Sequence, residues 1–142
     1  MKNTLFICSF LLIAQWSLAC DCSTPIFTKE VRKSHYILVG KVIAKKLVSS
    51  PQKGDYPHHL YKIQVSYYYK GRGTKKTITL RSGVGGGDCG FPFELGKSYL
   101  IFGNLKQKDG VVHTNICRRT KALEETKDLE KLDKMLTKQK PK

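Results

Sequence analysis

The stretch "LYKIQVSYYYKG", residues 60–71, sets Tyr61, Ile63, Val65 and Tyr67 on one face and Lys62, Gln64 and Ser66 on the other. A period of two is the mark of a strand with one face in a core and one in water. Upstream, "YILVGKVIAKKLV" (residues 36–48) is rich in β-branched residues and carries Gly40 where a bulge or bend fits. The two are separated by "SSPQKGDYPHH" (residues 49–59), whose prolines, glycine and polar residues read as a loop. Downstream, "KKTITLRS", "SYLIFGNL" and "GVVHTNIC" follow at the spacing of an antiparallel β domain. Ahead of the first strand, "PIFTKEVRKS" predicts a short helix opened by Pro25. From Thr120 the period changes: Leu123, Thr126, Leu129, Leu132 and Leu136 recur at steps of three and four. That predicts an amphipathic helix capped by Thr120, ending in a frayed "KQKPK". Five strands with covering helices suit a mainly β, five-stranded OB-fold barrel, with a sandwich as the alternative on propensity alone.

The first 19 residues read as a signal peptide. Lys2 is followed by the apolar run "TLFICSFLLIA", and Ser17 and Ala19 put small residues at the cleavage-site positions. The run is too short for a membrane span. Cleavage after Ala19 makes Cys20 the first residue of a secreted, extracellular chain. A lipid-anchored Cys20 is the alternative, although Ser17 stands where a lipoprotein signal usually has an aliphatic residue.

Cys8 leaves with the leader, and Cys20, Cys22, Cys89 and Cys117 remain. An even number of cysteines in an oxidising compartment argues for two disulfides. A Cys20–Cys22 bridge would close a strained ring across one residue. Both remaining pairings tie the N-terminus to Cys89 and Cys117, closing loops worth about 4–5 kcal/mol each in the chain-entropy account. The C-x-C spacing with two isolated partners lacks the paired geometry of a structural zinc site.

The chain carries a formal net charge of +15, and the leader contributes one lysine to it. This favours a polyanionic partner, and for a secreted protein glycosaminoglycan or another matrix polyanion is a better fit than nucleic acid. "GGGDCG" (residues 85–90) has G-x-G-x-x-G spacing, but "FPFELG" follows it instead of a helix that could meet a phosphate. His35, His58, His59 and His113 are scattered or adjacent on a strand, and no nucleophile–base arrangement is legible. The pattern excludes a readable catalytic centre, so the chain is read as a non-enzyme.

Cys20-Asp-Cys22 at the cleavage site is followed by Pro25, "YYKG" (68–71), Cys89-Gly90, "YLIFG" (99–103) and "DGVVHTNIC" (109–117). In that order these blocks resemble the N-terminal, netrin-like domain of the tissue inhibitors of metalloproteinases. The resemblance implies a netrin-like OB domain over 20–119, between the signal peptide read at 1–19 and the C-terminal helix and basic tail read at 120–142. It also implies the pairing Cys20–Cys89 and Cys22–Cys117. The implied function is inhibition of zinc metalloproteases by a monomeric chain with no cofactor of its own. The free amine and carbonyl of Cys20 would chelate the partner's catalytic zinc. Cys20, Asp21, Cys22 and Ser23, with Val84, Gly85, Gly86, Gly87 and Asp88, would form the protease-binding ridge, and the loop at 49–59 would add peripheral contacts. The alternative is a non-inhibitory netrin-like module that docks polyanionic matrix or cell surface.

Three departures matter. This sequence holds no cysteines for the family's third disulfide, and a Lys- and Glu-rich segment stands where a cysteine-rich second domain would follow. Asp21 occupies the position where a small hydroxyl residue is usual, at the mouth of the protease's specificity pocket.

Overall fold

The computed structural model describes residues 20–49, 56–71, 73–106 and 110–137. The expected signal peptide over 1–19, residues 50–55 of the expected loop at 49–59 and the "KQKPK" end lie outside the described residues. Helix α1 spans Phe27–Lys33 and is followed by strands β1 (Tyr36–Val48), β2 (His58–Lys70), β3 (Thr77–Gly83) and β4 (Ser98–Leu105). Short strands β5 (Val112–His113) and β6 (Lys121–Ala122) and helix α2 (Asp128–Thr137) complete the order. Among the described residues, no helix is long and apolar enough to cross a membrane.

The strands run β1-β2-β3-β5-β4-β6, and β1 also pairs with β4. That extra pairing closes β1, β2, β3, β5 and β4 into a five-stranded ring, with β6 added along β4. All pairs are antiparallel except β3–β5, which is parallel. The protein is therefore a mainly β, OB-like barrel with two helices, as the strand pattern predicts.

Closure explains why "YILV" and "YLIF" are apolar on consecutive residues. Leu38, Val42, Tyr99 and Ile101 point into the barrel with Tyr61, Ile63, Leu80, Phe93 and Val112. Ile37, Leu100 and Phe102 point out, under Leu132 of α2 and against Phe27 and Val31 of α1. A strand buried on both faces needs apolar residues at every position, not at alternate ones. One end of the barrel interior is filled by rings: Phe93 lies 5.0 Å from Tyr61, 4.8 Å from Tyr99 and 4.5 Å from Phe91, tilted or edge-on.

The structure departs from strict alternation where β2 bulges. Val39 pairs with Tyr67 and Gly40 with Val65, so Ser66 is an extra residue. The bulge turns Tyr67 outward, where it is exposed and packs against Tyr69 at 4.7 Å, and sends Tyr68 toward the core. Tyr69 in turn donates to Asp133 of α2 at 3.1 Å. Burial first, and then that carboxylate, push its hydroxyl up to about 12.

Three further expectations need correction. The C-terminal helix begins at Asp128, not after Thr120. Residues 121–122 instead pair with β4, and Leu123–Glu125 form a single 3-10 turn. Thr120 is buried, accepts the Phe102 N–H at 3.0 Å and lies 2.9 Å from the Thr114 hydroxyl, so it serves the core and caps nothing. Thr126 receives the Asp128 N–H at the helix start instead. "GVVHTNIC" is strand at only two residues. Pro25 stays outside α1, whose first turn closes by Glu30 N–H to Ile26 C=O at 2.9 Å.

Candidate functional site

Residues 20–26 run without regular structure across one end of the barrel. Two disulfides hold them there: Cys20 to Cys89, with Cα atoms 5.5 Å apart, and Cys22 to Cys117, with Cα atoms 5.0 Å apart. The receiving segments are joined to each other, since Ile116 N–H donates to Cys89 C=O at 3.0 Å. Asn115 Oδ1 accepts the Cys117 N–H at 3.1 Å. The sulfurs of Cys22, Cys89 and Cys117 lie within 4.8 Å of one another. All three are disulfide-bonded, so they lack the thiolates a metal needs.

The second part of the candidate ridge is the turn after β3. Gly86–Asp88 make one 3-10 turn, entered at Gly85 with φ +101° and left at Cys89 in the left-handed region with φ +56°. Only glycine takes the first of these without strain. Asp88 organises the turn. Its Oδ2 accepts the Val84 N–H at 2.7 Å, and its Oδ1 accepts those of Gly85 at 2.9 Å and Gly90 at 3.0 Å. Desolvation pushes this carboxyl up, but the N–H groups of Gly90, Val84 and Gly85 outweigh it and hold it below the usual carboxylate value. Gly90 is needed for packing, because a side chain there would run into the backbone of Gly83.

Among the sequence-derived site residues, Cys20 and Cys22 are half-buried, while Asp21 and Ser23 are exposed. Val84 is exposed, Gly85 half-buried, and Gly87 exposed. The Cys20–Cys89 bond brings the two stretches together. Asp88 is also exposed, yet its two oxygens are directed onto the turn's own backbone. The peripheral loop reaches the described residues at Tyr56 and Pro57, both exposed, and His58 and His59 belong to β2.

Sequence reading missed the two arginines that follow Cys117. Arg119 grips Asp128 through Nε at 2.6 Å and Nη2 at 2.9 Å, and its Nη1 donates to Pro25 C=O at 2.7 Å. The N-terminal segment is thereby tied to α2 through one side chain. Burial raises the Asp128 carboxyl and the bidentate arginine more than reverses it, leaving it below its ordinary value. Arg118 lies against buried Glu30 of α1 as an ion pair, off the axis of a hydrogen bond. It also donates to Ser34 Oγ at 2.9 Å and Asn104 Oδ1 at 3.2 Å. The available signal was an Arg-Arg pair beside a cysteine, but its partners lie up to 94 residues away in sequence.

The resulting site is a covalently braced edge in which the chain's first disulfide-bonded residues and a carboxylate-stiffened turn stand side by side. It holds no nucleophile–base pair among the described residues. No curated protein matches the chain. A family model described as tissue inhibitor of metalloproteinase matches residues 18–136, taking in both disulfides, the whole barrel and nearly all of α2. The chain therefore belongs to the tissue inhibitor of metalloproteinase family, whose members are secreted, disulfide-rich inhibitors rather than enzymes.

Proposed function

We propose that this protein is secreted and inhibits zinc metalloendopeptidases by offering the α-amine and carbonyl of a free Cys20 to the protease's catalytic zinc. The observation that carries this reading is the disulfide from Cys20 to Cys89, which joins the N-terminal residue to the turn Val84–Asp88 in one braced edge. A catalytic zinc keeps one coordination position for water or substrate. An N-terminal amine and its own carbonyl form a five-membered chelate, and their arrival there displaces the water that would attack a peptide bond. The amine donates when neutral, and its ordinary value near ~8 makes proton loss to the zinc inexpensive.

The Cys20 thiol is the anchor in this account, not the ligand. Two disulfides and the Arg119–Pro25 hydrogen bond order the segment before any protease arrives. A linear peptide would lose that ordering entropy on binding, and a braced one does not. Ser23 and Val84 extend the contact on either side.

Asp21 sets which proteases are accepted. Its exposed carboxylate would enter the specificity pocket, and an unpaired charge in an apolar pocket is costly. Proteases with a basic or polar pocket are the preferred targets. Asp21→Thr is expected to tighten inhibition of proteases with apolar pockets by about tenfold or more. Inhibition constants measured against one protease of each pocket type check this. Equal effects on both would remove the pocket from the explanation.

The first test is intact mass and N-terminal sequencing of the secreted protein, alongside a metalloendopeptidase assay. A free Cys20 with inhibition is expected. A blocked, lipidated or extended terminus in a protein that still inhibits would overturn chelation. The net charge of +15 favours a second reading, a module that docks polyanionic matrix without inhibiting anything.

A further inference from the structure

Helices α1 and α2 pack on the outward face of the sheet through Val31 and Leu132, in one cluster with Ile37. A cavity of about 580 Å³ remains between them. Leu132 and Met135 reach it from α2 at the three-residue spacing that puts side chains on one helix face. Ile37 and Leu132 are fully buried and form its floor, with Val31 on the α1 side. The Tyr69 hydroxyl is turned onto Asp133 at 3.1 Å, which leaves the Tyr69 ring as wall. The charged groups at the rim are both cationic. Lys70 Nζ donates to the Val31 and Arg32 carbonyls at 2.8 and 2.9 Å, which fixes the ammonium at the end of α1 with a third N–H to spare. Arg32 is exposed, and its guanidinium has no ion pair or hydrogen bond among the described residues. No carboxylate is among the described residues that line the cavity.

We propose that this cavity binds a free fatty acid, with the acyl chain over Ile37, Leu132 and Met135 and the carboxylate at Arg32 and Lys70. An apolar and aromatic lining with a few convergent polar groups, at this volume, is the usual make-up of a small-molecule site. Two cations and no acid at the rim select an anionic head group over a neutral or cationic one. The chain's own "KQKPK" end is cationic and suits neither the apolar floor nor the basic rim. The cavity shares no residue with the ridge at 20–23 and 84–88, so the inference does not rest on zinc chelation. An alanine-extended chain should bind the acid as the native chain does.

Met1 and Met135 are the two methionines of the sequence, so a chain starting at Cys20 carries a single methionine methyl, on the cavity wall. The test titrates that chain, ¹³C-labelled at the methyl, with octanoate, decanoate and dodecanoate below their micelle concentrations. Saturable shifts of the Met135 signal are expected, with affinity rising about threefold to fourfold for each added methylene that is buried. Dodecanol and dodecyltrimethylammonium should bind at least about tenfold more weakly than dodecanoate. Arg32→Gln, at an exposed position, should weaken dodecanoate at least about fivefold with an unchanged melting temperature. Equal binding of the acid and the ammonium amphiphile, or an affinity unmoved by Arg32→Gln, would overturn the site. So would a Met135 signal that responds only to anionic phospholipid vesicles, which assigns the face to a membrane surface. A signal that moves with protein concentration but not with dodecanoate would overturn it too, in favour of a second copy of the chain.

Discussion

Adding a single alanine ahead of Cys20 is expected to weaken inhibition at least about a thousandfold, the equivalent of about 4 kcal/mol. The added peptide bond converts the amine to an amide, whose nitrogen lone pair is delocalised and unavailable to zinc. It also inserts atoms where the protease's metal cleft has no room. The extension leaves both disulfides, the barrel core and the Arg119–Asp128 pair untouched, so the melting temperature should move by no more than about a degree. The pairing of unchanged stability with lost inhibition is diagnostic. A matrix-binding module would lose nothing measurable.

Asp88→Ala is the second large effect, expected to weaken inhibition by between about tenfold and about a hundredfold. The substitution removes the acceptor for three backbone N–H groups and frees the turn that stands beside Cys20. Hydrogen exchange at Val84, Gly85 and Gly90 should quicken while exchange in β1 and β4 stays slow. Asp88→Asn, which keeps one oxygen acceptor, should fall between the two. The same contact makes the turn acid-sensitive in a definite direction. Because the folded carboxyl lies below its usual 3.8, its stabilising contribution is complete above that value. It fades as pH falls below 3.8 and is gone once the pH has passed the lowered folded value. Inhibition and exchange followed from pH 7 downward should show no change from this group until that range. Unchanged exchange at the three N–H groups in Asp88→Ala would mean the turn is held by its disulfide alone.

Much of the barrel is legible in the sequence because hydrophobic burial leaves a periodic trace. Strand β4 coincides with "SYLIFGNL", and the unbroken apolar runs in β1 and β4 reflect burial on both faces. Gly40 lies opposite the Ser66 bulge of β2, and the extra residue in β1 itself is Ile43. The Ser66 bulge is not readable, since one added residue flips every later side chain without altering composition. The late start of α2 is hidden for a related reason. Leu123 packs beneath α2 from a 3-10 turn, so its spacing to Leu129 and Leu132 mimics one continuous helical face.

The candidate site is legible in a different way. Four cysteines in a chain read as secreted restrict the segment starting at Cys20 to two sensible tethers, and family likeness chooses between them. The structure carries the tethers to Cys89 and Cys117. What holds the edge in shape is not visible from spacing. Asp88 reads as one more polar loop residue, and its role depends on a turn that brings three N–H groups to one carboxylate. Arg119 meets Asp128 and Pro25 only once the barrel, α2 and the N-terminal segment have come together. Long-range polar partners of this kind leave no periodic signal.

The most direct measurement is a crystal structure of the secreted protein bound to a zinc metalloendopeptidase with its metal retained. The account predicts the Cys20 nitrogen and carbonyl oxygen both on the zinc at about 2.0–2.2 Å, the catalytic water gone, Asp21 at the specificity pocket and Val84 alongside. A complex in which the zinc keeps its water and Cys20 lies beyond coordination distance would contradict it.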